Sequence, residues 1–343
     1  MLFGSARSAE RLAVELSTLA NGMNVRVGGL EETVDKDAPV AVQTCGAGDF
    51  LVGDYAGGED EEVAGKARGL GVHANVRDLF LAYDFDEAHP ESDGRRSLYG
   101  AQYFARLTQR LINSLTAQTN YGALYDVDMR LRPSGRAGPL ATQLGAFAHY
   151  QEHEAWAWEH MALTRARVVS SSPGFRARVE AVIREVLMRP RDRDLTAGDV
   201  VEMRTAIAAE KGDQDRWDIK HAVGGLVDIE FIAQYLQLVH AHEKPEILDT
   251  STARVLEKAW SLRLIEREDA EVLRAAVQLY QVLTQILRLC LSGPFEPKTA
   301  ASGLLQLLAR AADVPDFATL DATLIDMQAR VRTSFVRILG KEP

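Results

Sequence analysis

The sequence predicts an α+β protein in which a lobe of mixed strands and helices precedes a long all-α helical bundle. Three observations carry this expectation. Asp78–Asp84 is a short apolar run of strand length, Leu124–Arg132 alternates apolar and polar residues, and beyond Gln143 nearly every stretch repeats its apolar residues at helical spacing. A chain of 343 residues has room for two domains at roughly 150 residues each. The expected divisions are an atypical segment over 1–75, the mixed lobe over 76–170 and the bundle over 171–343.

The first segment has frequent glycine from Val25 to Gly71, an acidic cluster at Glu59, Asp60, Glu61 and Glu62, and poor apolar periodicity. It reads as a loop-rich or poorly ordered region, with short strands over Val40–Thr44 and Asp49–Val52. The strand at Asp78–Asp84 leads into a polar turn, His89–Arg96. Ala101–Gln118 then places Phe104, Leu107, Leu111 and Leu115 on one helical face, and Asn120-Tyr-Gly122 ends that helix. In Leu124–Arg132, Tyr125, Val127, Met129 and Leu131 point one way, and Asp126, Asp128, Arg130 and Arg132 the other. Pro133-Ser-Gly135 stops the strand. Helices are expected over 143–152, 154–168, 174–188, 199–210, 225–242, 251–263, 267–291, 299–311 and 318–339, with Arg189–Asp194 as a linker. Thr142, Asp199 and Ser251 are cap candidates, and Pro173 and Pro315 sit near helix starts.

Composition narrows the function classes. Hydrophobic residues at 46% and charged residues at 26% are ordinary globular usage, which excludes a disordered, collagen-like or coiled-coil main body. Two cysteines, Cys45 and Cys290, exclude a disulfide framework and a cysteine-based zinc site. A net charge of −10 argues against a nucleic-acid partner. No run reaches the roughly eighteen apolar residues of a membrane span, and Met1–Leu16 has no secretory-signal pattern. The expected location is the cytoplasm, with no membrane partner.

Two strands carry carboxylates that can converge. If they are neighbours in one sheet, Asp78 and Asp128 meet at one edge, and a divalent cation relieves their repulsion. Magnesium suits such a site, because it takes one or two carboxylates and draws its other ligands from water and phosphates. Arg130 and Arg132 follow Asp128, and arginine's planar fork matches phosphate oxygens. Acids for metal beside arginines for phosphate point to phosphoryl-transfer chemistry. The competing reading is solvated acids and cross-strand salt bridges. Arg165 and Arg167 are further phosphate candidates.

Other features weigh towards structural roles. His149 and His153 have metal-ligand spacing without a third ligand. His240 and His242 lie near a helix end. Trp156 and Trp158 are two apart and cannot share a helix face. Gly224-Gly225 opens a helix whose amides meet either an anion or its own acids, Asp228 and Glu230.

The run Leu124-Tyr-Asp-Val-Asp-Met-Arg-Leu-Arg-Pro-Ser-Gly135 closely resembles a hallmark of glutamine synthetase adenylyltransferases. Glu91-Ser-Asp-Gly-Arg-Arg96, Tyr103-Phe-Ala-Arg-Leu-Thr-Gln-Arg110, Glu154-Ala-Trp-Ala-Trp-Glu-His-Met-Ala-Leu-Thr-Arg-Ala-Arg167, Ile219-Lys220, Gly224-Gly-Leu-Val-Asp-Ile-Glu-Phe-Ile-Ala-Gln-Tyr235 and His242-Glu-Lys-Pro245 follow in the family's order. The resemblance spans about residues 78–340. It implies a polymerase-β-like nucleotidyltransferase lobe plus a helical bundle. Members have one half that removes AMP from glutamine synthetase by phosphorolysis and one that adds it from ATP. The Glu154–His160 wording is similar to the adding half. The implied reaction is transfer of AMP from ATP to a tyrosine of glutamine synthetase, with Mg2+ as cofactor and the PII signalling protein as a further partner. Asp78 then matches the second aspartate of the family's Asp-x-Asp pair, and Asp128 its third catalytic aspartate.

The resemblance breaks upstream. Val76 stands where the first aspartate belongs, and Gly65–Ala74 blurs the family's phosphate-cradling glycines. The mismatch ends abruptly before Asp78, as an altered coding frame would leave it. The rivals are a diverged lobe of reduced activity, an adenylyl-removing half, and an inactive chain that only docks to glutamine synthetase.

Overall fold

The computed structural model describes residues 40–44, 75–92, 97–118 and 125–341. The strand expected at Asp49–Val52 lies outside them, as do residues 93–96 of the expected polar turn. Five strands are described: β1 (Val40–Thr44), β2 (Asn75–Tyr83), β3 (Tyr125–Asp128), β4 (Ala141–Gln143) and β5 (Ala166–Ser170). The described helices, in chain order, are α1 (Gly100–Leu115), α2 (Leu144–His153), α3 (Ala157–Leu163), α4 (Pro173–Leu187), α5 (Arg193–Lys211), α6 (Leu226–His240), α7 (Thr252–Ser261), α8 (Arg267–Cys290), α9 (Ser302–Ala311) and α10 (Phe317–Leu339). They form two compact units. One holds the sheet with α1, α2 and α4 up to Val186; the other holds α3 and the chain from Leu187 onward.

The sheet unit is built on β2. Leu79-Phe-Leu-Ala-Tyr83 is apolar without interruption, the pattern of a strand covered on both faces. Phe80 meets Phe147 of α2 with ring centroids 5.3 Å apart. On the opposite face Tyr83 stacks on Phe104 of α1 at 4.4 Å, in a cluster with Leu81 and Ala141. The strand order is β3-β2-β1-β5, with β4 also on β2. β1 runs antiparallel to β2 and β5, whereas β3 and β4 run parallel to β2. β3 pairs with Asn75–Asp78 and β4 with Leu81–Tyr83, so the two short strands follow one another along β2. Parallel neighbours need a crossover, and α1 supplies the one from β2 to β3.

Two expectations are corrected. The alternating strand Leu124–Arg132 stops at Asp128, because the Asp128 carboxylate accepts the backbone N–H of Arg130 at 2.8 Å and folds the chain into a turn. Arg130 and Arg132 therefore sit in that turn, not on a strand face. The single helix expected over 154–168 is instead α3 followed by strand β5. Glu159 caps α3 by accepting the Trp156 backbone N–H at 2.9 Å, and residues 166–170 then pair with β1. Long-range pairing has overridden a local helical period.

In the helical unit, α6 is buried along its whole length, from Leu226 to His240. Its apolar residues run round the helix instead of along one stripe, so it needs neighbours on all sides. Helices α3, α5, α7, α8 and α10 pack against it. Helix α5 starts earlier than its apolar pattern suggests, because Asp192 caps it by accepting the Leu195 N–H at 2.8 Å. Asp316 caps α10 in the same way, through Thr319 N–H at 2.8 Å.

Gly224 precedes α6 with φ at 73°, and a Cβ there would lie 1.9 Å from the backbone oxygen of Gln328 in α10. Gly224→Ala should therefore destabilise this unit by on the order of 3 kcal/mol, read as a lower urea midpoint at unchanged m-value. His240, at the end of α6, accepts a hydrogen bond at Nε2 from Arg193 at 2.8 Å, which requires the neutral imidazole. Burial first, then the Arg193 and Lys244 charges, push its pKa down from 6.5 to about 4. The unfolded chain thus binds this proton more readily than the folded one. The stability His240 contributes is complete above its unfolded pKa and declines as pH falls towards the folded value. Between pH 7 and pH 5 the decline should be about 2 kcal/mol. Chemical unfolding at both pH values should show a smaller decline in His240→Asn.

Candidate functional site

The candidate site is the edge of the sheet where β3 ends. The parallel register sets Val76 opposite Asp126 and Asp78 opposite Asp128. Neighbouring strands run about 4.8 Å apart, so the backbones of Asp78 and Asp128 are held beside one another. Valine, at position 76 of that ladder, has no side-chain oxygen to offer.

The Asp128 side chain is 14% exposed, whereas Arg130 beside it is 69% exposed. Asp128 Oδ1 accepts the Arg130 backbone N–H at 2.8 Å, and Oδ2 accepts the Arg130 Nε–H at 2.6 Å. Arg132 is buried and donates from Nη1 to the Met129 carbonyl at 2.7 Å and from Nε to the Gly138 carbonyl at 3.4 Å. It braces the turn joining β3 to β4. That turn is tight: Ser134 and Gly135 both have positive φ, at 58° and 52°. Arg132 thus orients the exit of Asp128 from the sheet, and Arg130 is the cation presented to solvent.

The donor chemistry of this edge fits magnesium. Asp128 offers hard carboxylate oxygens, a second aspartate lies opposite in register, and remaining positions of the ion go to water or phosphate. Among the described residues no group of three or more His, Cys, Asp or Glu side chains gathers to hold a metal. His149 and His153 stack their rings at 4.4 Å on the exposed face of α2 without a third ligand.

The other arginine candidates lie elsewhere. Arg167 is on β5, opposite Gln43 of β1, and β1 and β2 separate that strand from β3. Arg165 is buried in the helical unit, with Nη1 3.3 Å from Glu230 Oε1 of α6. The paired glycines before α6 do not present their amides outward. Gly224 N–H donates to Asp228 Oδ2 at 2.8 Å, and Asp228 Oδ1 is held by Arg204 Nε. Arg204 also donates to the His221 carbonyl at 3.0 Å, and Tyr280 donates its hydroxyl to the Gly224 carbonyl at 2.9 Å. Burial raises the Tyr280 pKa, so it remains a phenol donor. The acid on this helix caps its own entry turn.

Sequence reasoning missed two pairings. Asp84, at the end of β2, is bound by Arg178 of α4 and by Gln143 Nε2 at 3.3 Å. Asp228 is shared by Arg204 and, at 3.8 Å, by Arg332 of α10. Only the acids carried a local signal, since their partners are up to 104 positions away (228 to 332). Arg165→Met should remove a buried ion-pair partner of Glu230 and lower stability by about 3 kcal/mol, measured by denaturant unfolding. Arg165→Met combined with Glu230→Leu should recover most of that loss.

A family model described as glutamate-ammonia ligase adenylyltransferase matches residues 65–182. Another, GlnD PII-uridylyltransferase, matches residues 201–292. The chain is similar to the bifunctional glutamine synthetase adenylyltransferase/adenylyl-removing enzyme of Rhodopseudomonas palustris (strain TIE-1), 63% identical over 265 residues, which is 77% of this chain and 27% of that protein. The Bradyrhizobium sp. (strain BTAi1) protein of that name is 63% identical over 262 residues, 76% of this chain and 27% of the relative. The Rhodopseudomonas palustris (strain HaA2) protein is 53% identical over 338 residues, 97% of this chain and 32% of the relative. The chain thus spans about a quarter to a third of the length of these relatives. Over that span it belongs to the glutamine synthetase adenylyltransferase/adenylyl-removing enzyme family.

Proposed function

We propose that this chain carries the adenylyl-transferring activity of its family: AMP passes from ATP to a tyrosine hydroxyl of glutamine synthetase, and pyrophosphate leaves. The observation that carries the reading is the register that sets Asp78 opposite Asp128 at the sheet edge, next to Arg130. The relatives' names include both adding and removing activities. The resemblance of Glu154–His160 to the adding half favours addition. On the same footing the PII signalling protein is a second partner, and the cytoplasm is where these proteins meet.

In the proposed reaction the tyrosine oxygen attacks the α-phosphorus of ATP. The bond from that phosphorus to the bridging oxygen breaks, pyrophosphate departs, and the phenol proton is lost. A phenol has a pKa near about 10, so at neutral pH the nucleophile is weak and the leaving group carries much charge. Asp78 and Asp128 would hold Mg2+, which supplies neutralisation of phosphate charge when bound. Arg130, on a long exposed stem beside them, pairs with phosphate oxygens. Arg132 acts on the turn, keeping Asp128 aimed at the edge.

A second reading has one observation in its favour. Val76 offers no ligand where the family places a carboxylate, so a slow or silent lobe that still docks to glutamine synthetase is the alternative. Incubation with ATP labelled at the α-phosphate, Mg2+ and unmodified glutamine synthetase tests both. Label should appear on glutamine synthetase, and Asp128→Asn should lower the rate by about 100-fold or more. Equal rates for Asp128→Asn and the parent would remove Asp128 from the mechanism. Binding of glutamine synthetase without label transfer would favour the docking reading. Phosphate-dependent release of AMP from adenylylated glutamine synthetase would favour the removing half.

A further inference from the structure

Asp128 and Arg130 are joined more closely than two residues sharing a site need to be. The guanidinium donates from Nε to Oδ2 at 2.6 Å, with Nη2 2.5 Å from the same oxygen. The backbone N–H of Arg130 takes Oδ1 at 2.8 Å. The two oxygens have different kinds of partner. The one on Oδ1 is part of the turn and cannot leave without unfolding it. The one on Oδ2 is the tip of a flexible side chain, 69% exposed, over a carboxylate that is 14% exposed. Rotating that stem would take the guanidinium off Oδ2, while the turn keeps Asp128 at the strand end.

A divalent cation and a guanidinium compete for Oδ2, since each brings positive charge to the same oxygen. We infer that Arg130 is an exchangeable counter-ion. It holds Asp128 Oδ2 before the metal arrives, surrenders that oxygen to the metal, and turns its fork to the triphosphate. This deepens the nucleotidyl-transfer reading and rests on it. Arg130 then couples the two ligands. The metal releases it from the carboxylate, and the nucleotide gives it a new acceptor, so each ligand raises the affinity for the other. A simple phosphate ligand would not oppose the metal, and a simple structural brace would not favour the nucleotide.

Arg130→Met keeps the stem and removes the competing charge, so the two affinities should move in opposite directions. The probe is Mn2+ added to the whole chain without nucleotide, with free Mn2+ followed by electron paramagnetic resonance. Arg130→Met should lower the Mn2+ Kd by roughly three- to tenfold, the scale of a charged hydrogen bond discounted for exposure. Arg130→Lys, which keeps the charge, should stay closer to the parent. Affinity for a non-hydrolysable ATP analogue with Mg2+, measured by calorimetry, should fall in Arg130→Met. The Mn2+ gain should vanish in the double variant Asp128→Asn/Arg130→Met. Arg130→Gln serves as a second neutral variant, and thermal melting confirms that each protein is folded. An unchanged or weaker Mn2+ affinity in both neutral variants, or a gain that survives Asp128→Asn, overturns the exchange. If Asp128→Asn alone lowers Mn2+ affinity while the Arg130 variants do not alter it, the metal site stands and only the exchange fails. If Asp128→Asn leaves Mn2+ binding untouched, the metal site and the exchange fail together.

Discussion

Strand β2 is covered on both faces and hydrogen-bonded along both edges, and the candidate site depends on that constraint. Phe80 on one face and Leu81 and Tyr83 on the other are buried against helices α2 and α1. A strand enclosed in this way cannot slip by one residue, because a slip would turn every core side chain to the wrong face. With β2 locked, the parallel pairing of β3 has one register, and that register sets Asp78 against Asp128. The turn after β3 then decides what each following residue does. Arg132 is spent on backbone carbonyls, and Arg130 emerges into solvent beside the carboxylate.

The helical unit uses charge differently. Helix α6 is buried throughout, yet it carries Asp228, Glu230 and His240. Each has a partner from another part of the unit: Arg204 and Arg332 on Asp228, Arg165 on Glu230, Arg193 on His240. Buried pairs of this kind add little net stability, because desolvation offsets their attraction, but losing one partner is costly. An incorrectly docked α5 or α10 would strand an acid in the core. Arg165, a phosphate candidate on paper, belongs to this internal wiring.

The chemistry of the site was partly legible beforehand, and the limits have physical causes. Reasoning about two strands that could be sheet neighbours pairs Asp78 with Asp128, with solvated strand-end acids as the competing reading. Alternation persists through Leu131 although β3 ends at Asp128, because nothing in alternation shows that the Asp128 side chain will bind the backbone two residues on. Strand β5 was hidden inside a helical pattern for a similar reason. Its pairing energy comes from β1, more than 120 positions away (44 to 166), and leaves no local trace. The pairing of Asp84 with Arg178, 94 positions apart, leaves no local trace either.

By itself the sequence determined the class of the protein, the extent of most helices and the strand core Leu79–Tyr83, because periodicity and uninterrupted apolar runs are local properties of a chain. It also carried the family wording and the acids from which a cation site would be made. The tertiary structure alone decided which charges are spent inside and which stand at the surface. Residue type does not separate Arg130 from Arg132, or either of them from Arg165. The separation comes from burial and from partners brought together by folding, through forces that act across space and not along the chain.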